Sequence, residues 1–225
     1  ILFMSAPIGE EISKMVAVLT LSHLIVSPKH GLYVGSTVGL GFALLENASY
    51  IFMALISDYS SIAYFFTATL RGLSSVPGHA MWTGLCGYAI GCWLARGNRL
   101  PSLSGTSYLS EDADANWVLY DKQGRAVSNT TWNTLPSQRL AHLLNRHRKH
   151  AWPMPQTVAG GLFLAILGHA LWNGSSWGVG VLLAESETLL SVLLQLAWLA
   201  LMVVGLWVCI LRCLPTIVLG GQPRE

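Results

Sequence analysis

The amino-acid sequence predicts an all-α, polytopic membrane protein with about five transmembrane helices and one short interfacial helix. The 225 residues are 52% hydrophobic and only 11% charged, whereas an average soluble domain has about 25% charged residues. Apolar stretches near the ~20 residues that cross a bilayer recur along the chain, and one long polar segment interrupts them. The formal net charge of +2 is too small to indicate a nucleic-acid partner, so the lipid bilayer is the expected environment.

Each predicted element is defined by an apolar run and by the residues that end it. The first span stops before Pro28 and Gly31, which interrupt helices, and the second stops before Asp58. The next segment is short and contains Arg71, which favours an interfacial helix, and the third span starts at Pro77, a residue suited to a first helical turn. The predicted spans are residues 1–26, 32–56, 77–95, 156–177 and 188–211, with the interfacial helix at 62–73.

This pattern divides the chain into a membrane core, a polar extramembrane loop, a second membrane part and a tail, at residues 1–95, 96–155, 156–214 and 215–225. The chain starts at Ile1 without a basic segment, and Glu10 and Glu11 exclude a signal peptide there. We therefore expect a piece of a longer chain with further spans upstream. The four cysteines are expected to behave as small apolar residues rather than as a disulfide framework.

The positions of the charges predict an orientation. Cations collect on the side that the chain reaches after its first span, and short loops rich in Lys and Arg stay in the cytoplasm. A glycosylation sequon at Asn129 requires the polar loop on the opposite side and is the alternative. The charges concerned are Lys29, Arg96, Arg99, residues 146–149 and Arg212 on the first side, and Asp58, Glu185 and Glu187 on the other.

Ionisable residues inside predicted spans are functional candidates, because each costs about 3 kcal/mol to place in a bilayer. Counted at ~1.5 Å per residue from the basic side, the carboxylates and histidines of four spans lie about 20–25 Å deep. Scattered structural residues would have no reason to share a depth, so one polar layer is predicted in the half of the bilayer away from the basic side. Its members are Glu10, Glu11, Glu46, His79 and His169, with Lys14 and Arg71 as charge partners, whereas His23 is expected to have no role.

Helical spacing refines this layer, because residues four apart share a helix face. Glu10 can pair with Lys14, while Glu11 points about 100° away and stays free for another role. Small residues let membrane helices approach closely. The other predicted pairs are His169 with Asn173 and Glu46 with Tyr50, and the glycines that allow close packing are Gly35, Gly39, Gly84, Gly87, Gly91 and Gly168.

Two chemistries fit two His and two or more Glu in a dry cavity, and both lead to hydrolysis. Two His and one carboxylate with an open position form a catalytic zinc set, which acidifies water. Alternatively, a Glu and a His act directly as general base and acid, with an amide that donates to the oxyanion. The candidate catalytic residues are Glu10, Glu11, His79, His169 and Asn173; the candidate ligands of Zn²⁺ or another divalent cation are His79, His169, Glu11 and Glu46; and the supporting residues are Lys14, Asn47 and Arg71.

Four segments of the chain carry motifs that contain these residues. They are Ala6-Pro7-Ile8-Gly9-Glu10-Glu11-Ile12-Ser13-Lys14, then Gly39-Leu40-Gly41-Phe42-Ala43-Leu44-Leu45-Glu46-Asn47, then Arg71 with Pro77-Gly78-His79-Ala80, and last His169-Ala170-Leu171-Trp172-Asn173. In this order they resemble the motifs of the PrsW family of intramembrane proteases. The double Glu, the His and the H-x-x-x-N pattern are also similar to the CAAX prenyl endopeptidases and bacteriocin-immunity proteins.

The resemblance implies a helical membrane endopeptidase that cleaves membrane-anchored protein substrates near a membrane boundary. In some bacteria such a protease releases a transcription factor by cutting a membrane-anchored inhibitor. The loop at residues 96–155 is long for the family, and the spans expected before the double Glu are missing from this sequence. The loop therefore bears on substrate and regulation more than on chemistry.

Two other functions fit the same residues. A non-catalytic protein that binds partner helices would use Glu10 and Glu11 as an interfacial helix terminus, with His169 and Asn173 as interhelical hydrogen bonds. A carrier of small ions or protons would also place Glu, Lys and Arg in the bilayer. Loss of proteolysis on a single Glu or His substitution would exclude the non-catalytic binding protein. Ion transport that survives loss of His169 would favour the carrier.

Overall fold

The computed structural model describes residues 2–58, 61–97, 119–120, 126–127, 150–183 and 188–219, and most of these residues are helical. The helices are α1 (Leu2–Thr20), α2 (Pro28–Asp58), α3 (Ser61–Leu73), α4 (Ser75–Arg96), α5 (Val158–Leu183) and α6 (Leu189–Leu219), with a short 3-10 turn at Ser22–Leu24. Two strands of two residues each, β1 (Leu119–Tyr120) and β2 (Ala126–Val127), pair antiparallel. The predicted helical fold class is confirmed.

Several predicted features lie outside the described residues. These are most of the polar loop with its sequon at Asn129, the basic residues 99 and 146–149, the acidic residues Glu185 and Glu187, and the end of the tail. The orientation that was inferred from these charges therefore stays a prediction.

Three helices of the described chain are long and apolar enough to cross a membrane, at Pro28–Ile56, Val158–Leu183 and Leu189–Thr216. They correspond to three of the five predicted spans. The other two differ for physical reasons: α1 carries three charged residues in its 19, and α4 is buried along most of its length. A helix surrounded by protein needs no continuous apolar surface toward lipid, so the count of five spans stays a prediction.

The largest differences from the predicted bounds are at C-terminal ends, since α1 ends at Thr20 rather than at residue 26, α5 at Leu183 rather than at 177, and α6 at Leu219 rather than at 211. At the N-terminal ends of α2 and α4 the differences lie at prolines. α2 starts at Pro28, because a proline is well tolerated in the first turn of a helix, where its missing N–H is not needed. α4 starts at Ser75, with Pro77 still in its first turn. The predicted short helix is observed as α3 within one residue, while its position at the membrane interface stays a prediction.

α4 is the central helix and packs against α2 on one side and α5 on another. Glycines allow the approach of α2: a Cβ on Gly35 would collide with the backbone carbonyl of Thr83, and one on Gly39 with the carbonyl of His79. The predicted close packing through small residues is confirmed here. Backbone contact at Gly39 fixes the turn of α4 that carries His79.

The two ends of α4 differ in polarity. Near its C-terminal end lies the hydrophobic core, formed by Val18, Ile25, Cys86, Ile90 and Leu94. Near its N-terminal end the buried side chains are ionisable or polar instead, namely Glu11, Lys14, His79, Thr83 and His169. The fold therefore collects its polar interior at one end of the bundle.

The chain forms two compact units. The first is Ile1–Leu100 with Met154–Ile210, and it contains all the predicted site residues. The second is Pro101–Pro153 with Leu211–Glu225. Within the second unit, the backbone N–H of Trp152 donates to the carbonyl of Arg212 (3.0 Å) and the hydroxyl of Thr216 donates to the carbonyl of Trp152 (2.9 Å). These bonds hold the segment around Trp152 against the last turns of α6.

Candidate active site

One turn of α1 supplies three charged side chains to the polar interior. Lys14 Nζ donates to Glu11 Oε1 at 2.7 Å and lies 3.6 Å from Glu10 Oε2. The predicted Glu10–Lys14 pair is therefore the longer of two contacts, and Glu11 makes the shorter one. The side chains of Glu11 and Lys14 are 1% and 2% exposed, against 25% for Glu10, so the buried ion pair is Glu11–Lys14.

The ammonium group of Lys14 also lies over the ring of Phe42, 3.9 Å from the ring centroid. An aromatic face stabilises a cation in this position. Lys14 is thus held by a carboxylate and by an aromatic ring in a site that is closed to solvent.

His169, on α5, faces the carboxylates of α1. Its Nδ1 donates to Glu11 Oε1 at 2.9 Å, because a carboxylate can only accept. In the neutral tautomer that keeps this hydrogen on Nδ1, Nε2 carries a lone pair, and Nε2 lies 3.7 Å from Glu10 Oε2. Glu10 Oε2 is buried and accepts no hydrogen bond from the residues that the structure describes. Two acceptor atoms therefore face each other across a short gap.

His79, on α4, is held at both of its ring nitrogens. Nε2 donates to Glu46 Oε2 at 2.8 Å, and Nδ1 accepts from Lys14 Nζ at 2.8 Å. The rings of His79 and His169 stand edge to face with centroids 5.0 Å apart. We call Glu10, Glu11, Lys14, Glu46, His79 and His169 the Glu–His cluster.

Arg71, from α3, closes the other side of Glu46. Its terminal nitrogen lies 3.0 Å from Glu46 Oε2, and its Nε donates to Asn47 Oδ1 at 2.6 Å. Its guanidinium also stacks on the ring of Tyr50, with 3.9 Å between the guanidinium carbon and the ring centroid. Arg71 thus contacts both Glu46 and Asn47, while Tyr50 contacts Arg71. The supporting roles of Asn47 and Arg71 stay predictions.

Aromatic side chains wall the cluster. The indole of Trp82 stacks on His169 with 4.8 Å between ring centroids and 13° between ring planes, and it meets His79 edge to face at 5.4 Å. Phe42 lies 5.4 Å from His79. Sequence reasoning missed the role of Trp82, although its position three residues after His79 places both on one face of α4.

Gly168 makes room for this indole. A Cβ on Gly168 would lie 2.5 Å from Trp82 Nε1, closer than real Cβ atoms come to another heavy atom. The residue before His169 is therefore a glycine because Trp82 covers its backbone.

Side chains from α1, α2, α4 and α5 meet in one place, while their depth in the bilayer stays a prediction. Asn173 follows His169 by one turn on α5 and is half-buried. His23 lies on the 3-10 turn, exposed, with Nδ1 3.1 Å from the carbonyl oxygen of Thr20, and takes no part, as predicted.

Three side chains of the cluster could together hold a divalent cation. Glu10, His79 and His169 each offer one ligand atom, and these atoms lie within 4.8 Å of one another. Glu11 and Glu46, which were predicted as ligands, instead accept hydrogen bonds from the ring nitrogens of His169 and His79. Carboxylates in this position orient metal-binding histidines.

The net charge of the cluster also favours a bound cation. Its three carboxylates face two permanent cations, Lys14 and Arg71. Counted over these five side chains, one negative charge is in excess, and a bound divalent cation would offset it. Two His and one carboxylate are also the donor types of catalytic zinc sites. The residues present fit a divalent cation once Lys14 Nζ releases His79 Nδ1, because that contact occupies the ring's one lone pair.

Comparison with known proteins supports the motifs. The model of the family described as PrsW family intramembrane metalloprotease matches residues 1–109. This stretch carries Glu10, Glu11, Glu46 and His79, whereas His169 lies beyond it. No curated protein and no solved structure matches the chain. The family and the apolar helices together make this an integral membrane protein.

Proposed function

Because residues 1–109 belong to the PrsW family of intramembrane proteases, we propose that this protein is an endopeptidase that hydrolyses membrane-associated protein substrates in the extracytoplasmic half of the bilayer. The observation that carries the proposal is the buried Oε2 of Glu10, which accepts no hydrogen bond among the described residues and faces Nε2 of His169 at 3.7 Å. An unsatisfied carboxylate oxygen beside a ring nitrogen lone pair is suited to take a proton from water.

Glu10 is the general base in this proposal. Its Oε2 accepts a proton from a water that attacks the peptide carbonyl carbon, and the protonated carboxyl then delivers that proton to the amide nitrogen as the C–N bond breaks. His169 positions the water through Nε2, because Glu11 fixes its tautomer. Asn173, one turn further along α5, donates to the oxyanion of the tetrahedral intermediate.

The remaining residues orient these groups and exclude water. Glu46 and Lys14 hold the two nitrogens of His79, and Trp82 covers His169. Glu10, His79 and His169 would hold a divalent cation such as Zn²⁺, which when bound polarises a carbonyl and acidifies water. The same residues also support a metal-free route in which the carboxylate and the histidines act alone.

A reconstituted cleavage assay tests the proposal. The purified protein is placed in liposomes with a library of single-span substrates that carry a tag at each end. Glu10→Gln and His169→Ala are expected to lower cleavage at least ~100-fold, the range of a lost general base. His23→Ala is the matched control, because His23 is exposed and outside the cluster. Full cleavage by both cluster variants would overturn the proposal.

A proton carrier is the second candidate, and one observation favours it. Contacts of 2.7–3.0 Å run without a break from Arg71 through Glu46, His79, Lys14 and Glu11 to His169, and such a chain can relay protons. It spans one layer of the bundle rather than the length of the helices, which favours the protease. Proton flux across liposomes without substrate, lost in Glu11→Gln, would decide for the carrier.

A further inference from the structure

A cavity of about 600 Å³ lies at the end of α4 that is remote from the Glu–His cluster. At 1.5 Å of rise per residue, Arg96 at its rim is about 25 Å along α4 from His79, so the cavity is separate from the candidate active site. Its lining residues are Leu19, Trp93, Arg96, Gly97, Thr157 and Val158. They come from α1, α4 and the start of α5, the three helices that carry the two histidines and the α1 carboxylates.

The lining combines an apolar wall with one charge. Leu19, Trp93 and Val158 present aliphatic and aromatic surface, and Arg96 is the charged side chain in the lining. Nε of Arg96 donates to the carbonyl of Cys92 at 3.3 Å, which fixes the stem of the side chain. No carboxylate pairs with Arg96 in the part of the chain that the structure describes.

An exposed indole lies at the cavity. Trp93 is 41% exposed, and tryptophans at helix ends sit at the membrane–water interface. A Cβ on Gly91 would meet Pro28 Cα at 2.6 Å, so the start of α2, with Lys29, lies at this same end. An apolar cavity of ligand size is therefore lined by one cation, Arg96, and by the exposed indole of Trp93.

We propose that this cavity binds one anionic phospholipid, with an acyl chain against Leu19 and Val158 and the headgroup phosphate on Arg96. A bilayer supplies an occupant of this chemistry directly, since the lining is apolar apart from the charged side chain of Arg96. Anionic lipids are attracted by each basic residue near the membrane surface, whereas the choline group of a zwitterionic lipid offsets its phosphate. A lipid bound here contacts all three helices that hold the two histidines and the α1 carboxylates.

Native mass spectrometry of the detergent-solubilised protein tests the site without any proteolysis, so its outcome is independent of the proposed function. The protein is equilibrated with equal amounts of phosphatidylglycerol and phosphatidylcholine, and the retained lipid is counted. We expect one retained phosphatidylglycerol, favoured about fivefold over phosphatidylcholine, the preference given by one well-placed arginine.

Three variants locate the lipid. Arg96→Gln should abolish the preference, and Arg96→Lys should restore most of it. Val158→Trp fills the cavity and should remove retention of both lipids, whereas Phe163→Trp, at an exposed position of the same helix, should not. Size-exclusion profiles identify any variant that fails to fold. Equal retention of both lipids by the unchanged protein, no retained lipid, or retention unchanged in Arg96→Gln and Val158→Trp would overturn the proposal.

Discussion

Glu10 Oε2 and His169 Nε2 lie 3.7 Å apart, and neither atom has a hydrogen to give the other when the carboxylate is ionised and the ring is neutral. Two ligands of one zinc ion, each bonded at ~2.0 Å, lie at most about 4 Å apart, and a single water can also donate to both atoms. The gap is therefore the reacting centre of the proposed mechanism. Glu11, adjacent in sequence, has the different task of positioning His169.

Substitutions of Glu10 and of Glu11 should differ in their effect on stability as well as in their effect on cleavage. Glu11→Gln leaves Lys14 without its closest carboxylate in a buried site, and removal of one member of a buried ion pair costs about 3–5 kcal/mol. Glu10→Gln affects a side chain that is 25% exposed and should leave stability nearly unchanged while it abolishes cleavage. Thermal unfolding in detergent, measured beside cleavage, checks both. Equal melting temperatures for the two variants would contradict these assigned roles.

Removal of divalent cations distinguishes the two chemical routes. If a cation is used, dialysis against a chelator should abolish cleavage, and stoichiometric Zn²⁺ should restore it. Glu46→Gln should weaken cation affinity about 10–100-fold, the usual effect of losing a carboxylate that orients a ligating histidine. Metal analysis by mass spectrometry and calorimetric titration measure these effects.

The matched control for that titration is Glu46→Asp, which keeps the charge. Full activity in protein with no detectable metal would assign catalysis to the carboxylate and the histidines alone. It would leave the Glu–His cluster as the site and change only its chemistry.

The meeting of the histidines and carboxylates could be predicted because helical rise is nearly constant, so that counting residues along four spans places Glu11, Glu46, His79 and His169 at similar depths. Which carboxylate accepts the hydrogen bond of which histidine could not be predicted. That pairing depends on rotamers and helix rotation, and these are set by packing such as the Gly39–His79 backbone contact.

The burial of Trp82 and of α4 could not be predicted either, because it too depends on tertiary packing. Tryptophans in a membrane protein are most often interfacial, and nothing in sequence alone separates a buried indole from those. α4 reads as a moderately apolar, glycine-rich span, but its burial by α2 and α5 is a tertiary property. Whether such a helix crosses the bilayer cannot be decided by hydropathy.

Gly39 should be intolerant of a side chain. Gly39→Ala directs a Cβ into the carbonyl of His79, and overpacking of a well-packed contact costs about 1–3 kcal/mol. The shift would move the turn that carries His79, so both the melting temperature and cleavage should fall. Thermal unfolding and the tethered-substrate assay measure them.

Gly41→Ala is the matched control, two residues further along α2. A Cβ on Gly41 meets no atom of the described neighbours within 4 Å, so this variant should be neutral or stabilised by up to about 1 kcal/mol through helix propensity. If the two variants lose stability equally, the backbone contact between α2 and α4 is not what restricts Gly39.

Trp82 should position His169 rather than bind substrate. Its indole lies flat on His169 at 4.8 Å, so Trp82→Leu removes the surface that fixes the ring, and a small misplacement of a catalytic group can cost ~100-fold in rate. We expect kcat to fall about 10–100-fold with KM nearly unchanged, and Trp82→Phe to retain most of the rate because a ring remains.

Gly168→Ala should reproduce this loss of rate, since its Cβ would lie 2.5 Å from Trp82 Nε1. Gly178→Ala is the matched control and should keep the rate, because a Cβ there has open space among the described residues. A change confined to KM would instead make Trp82 part of the substrate-binding surface.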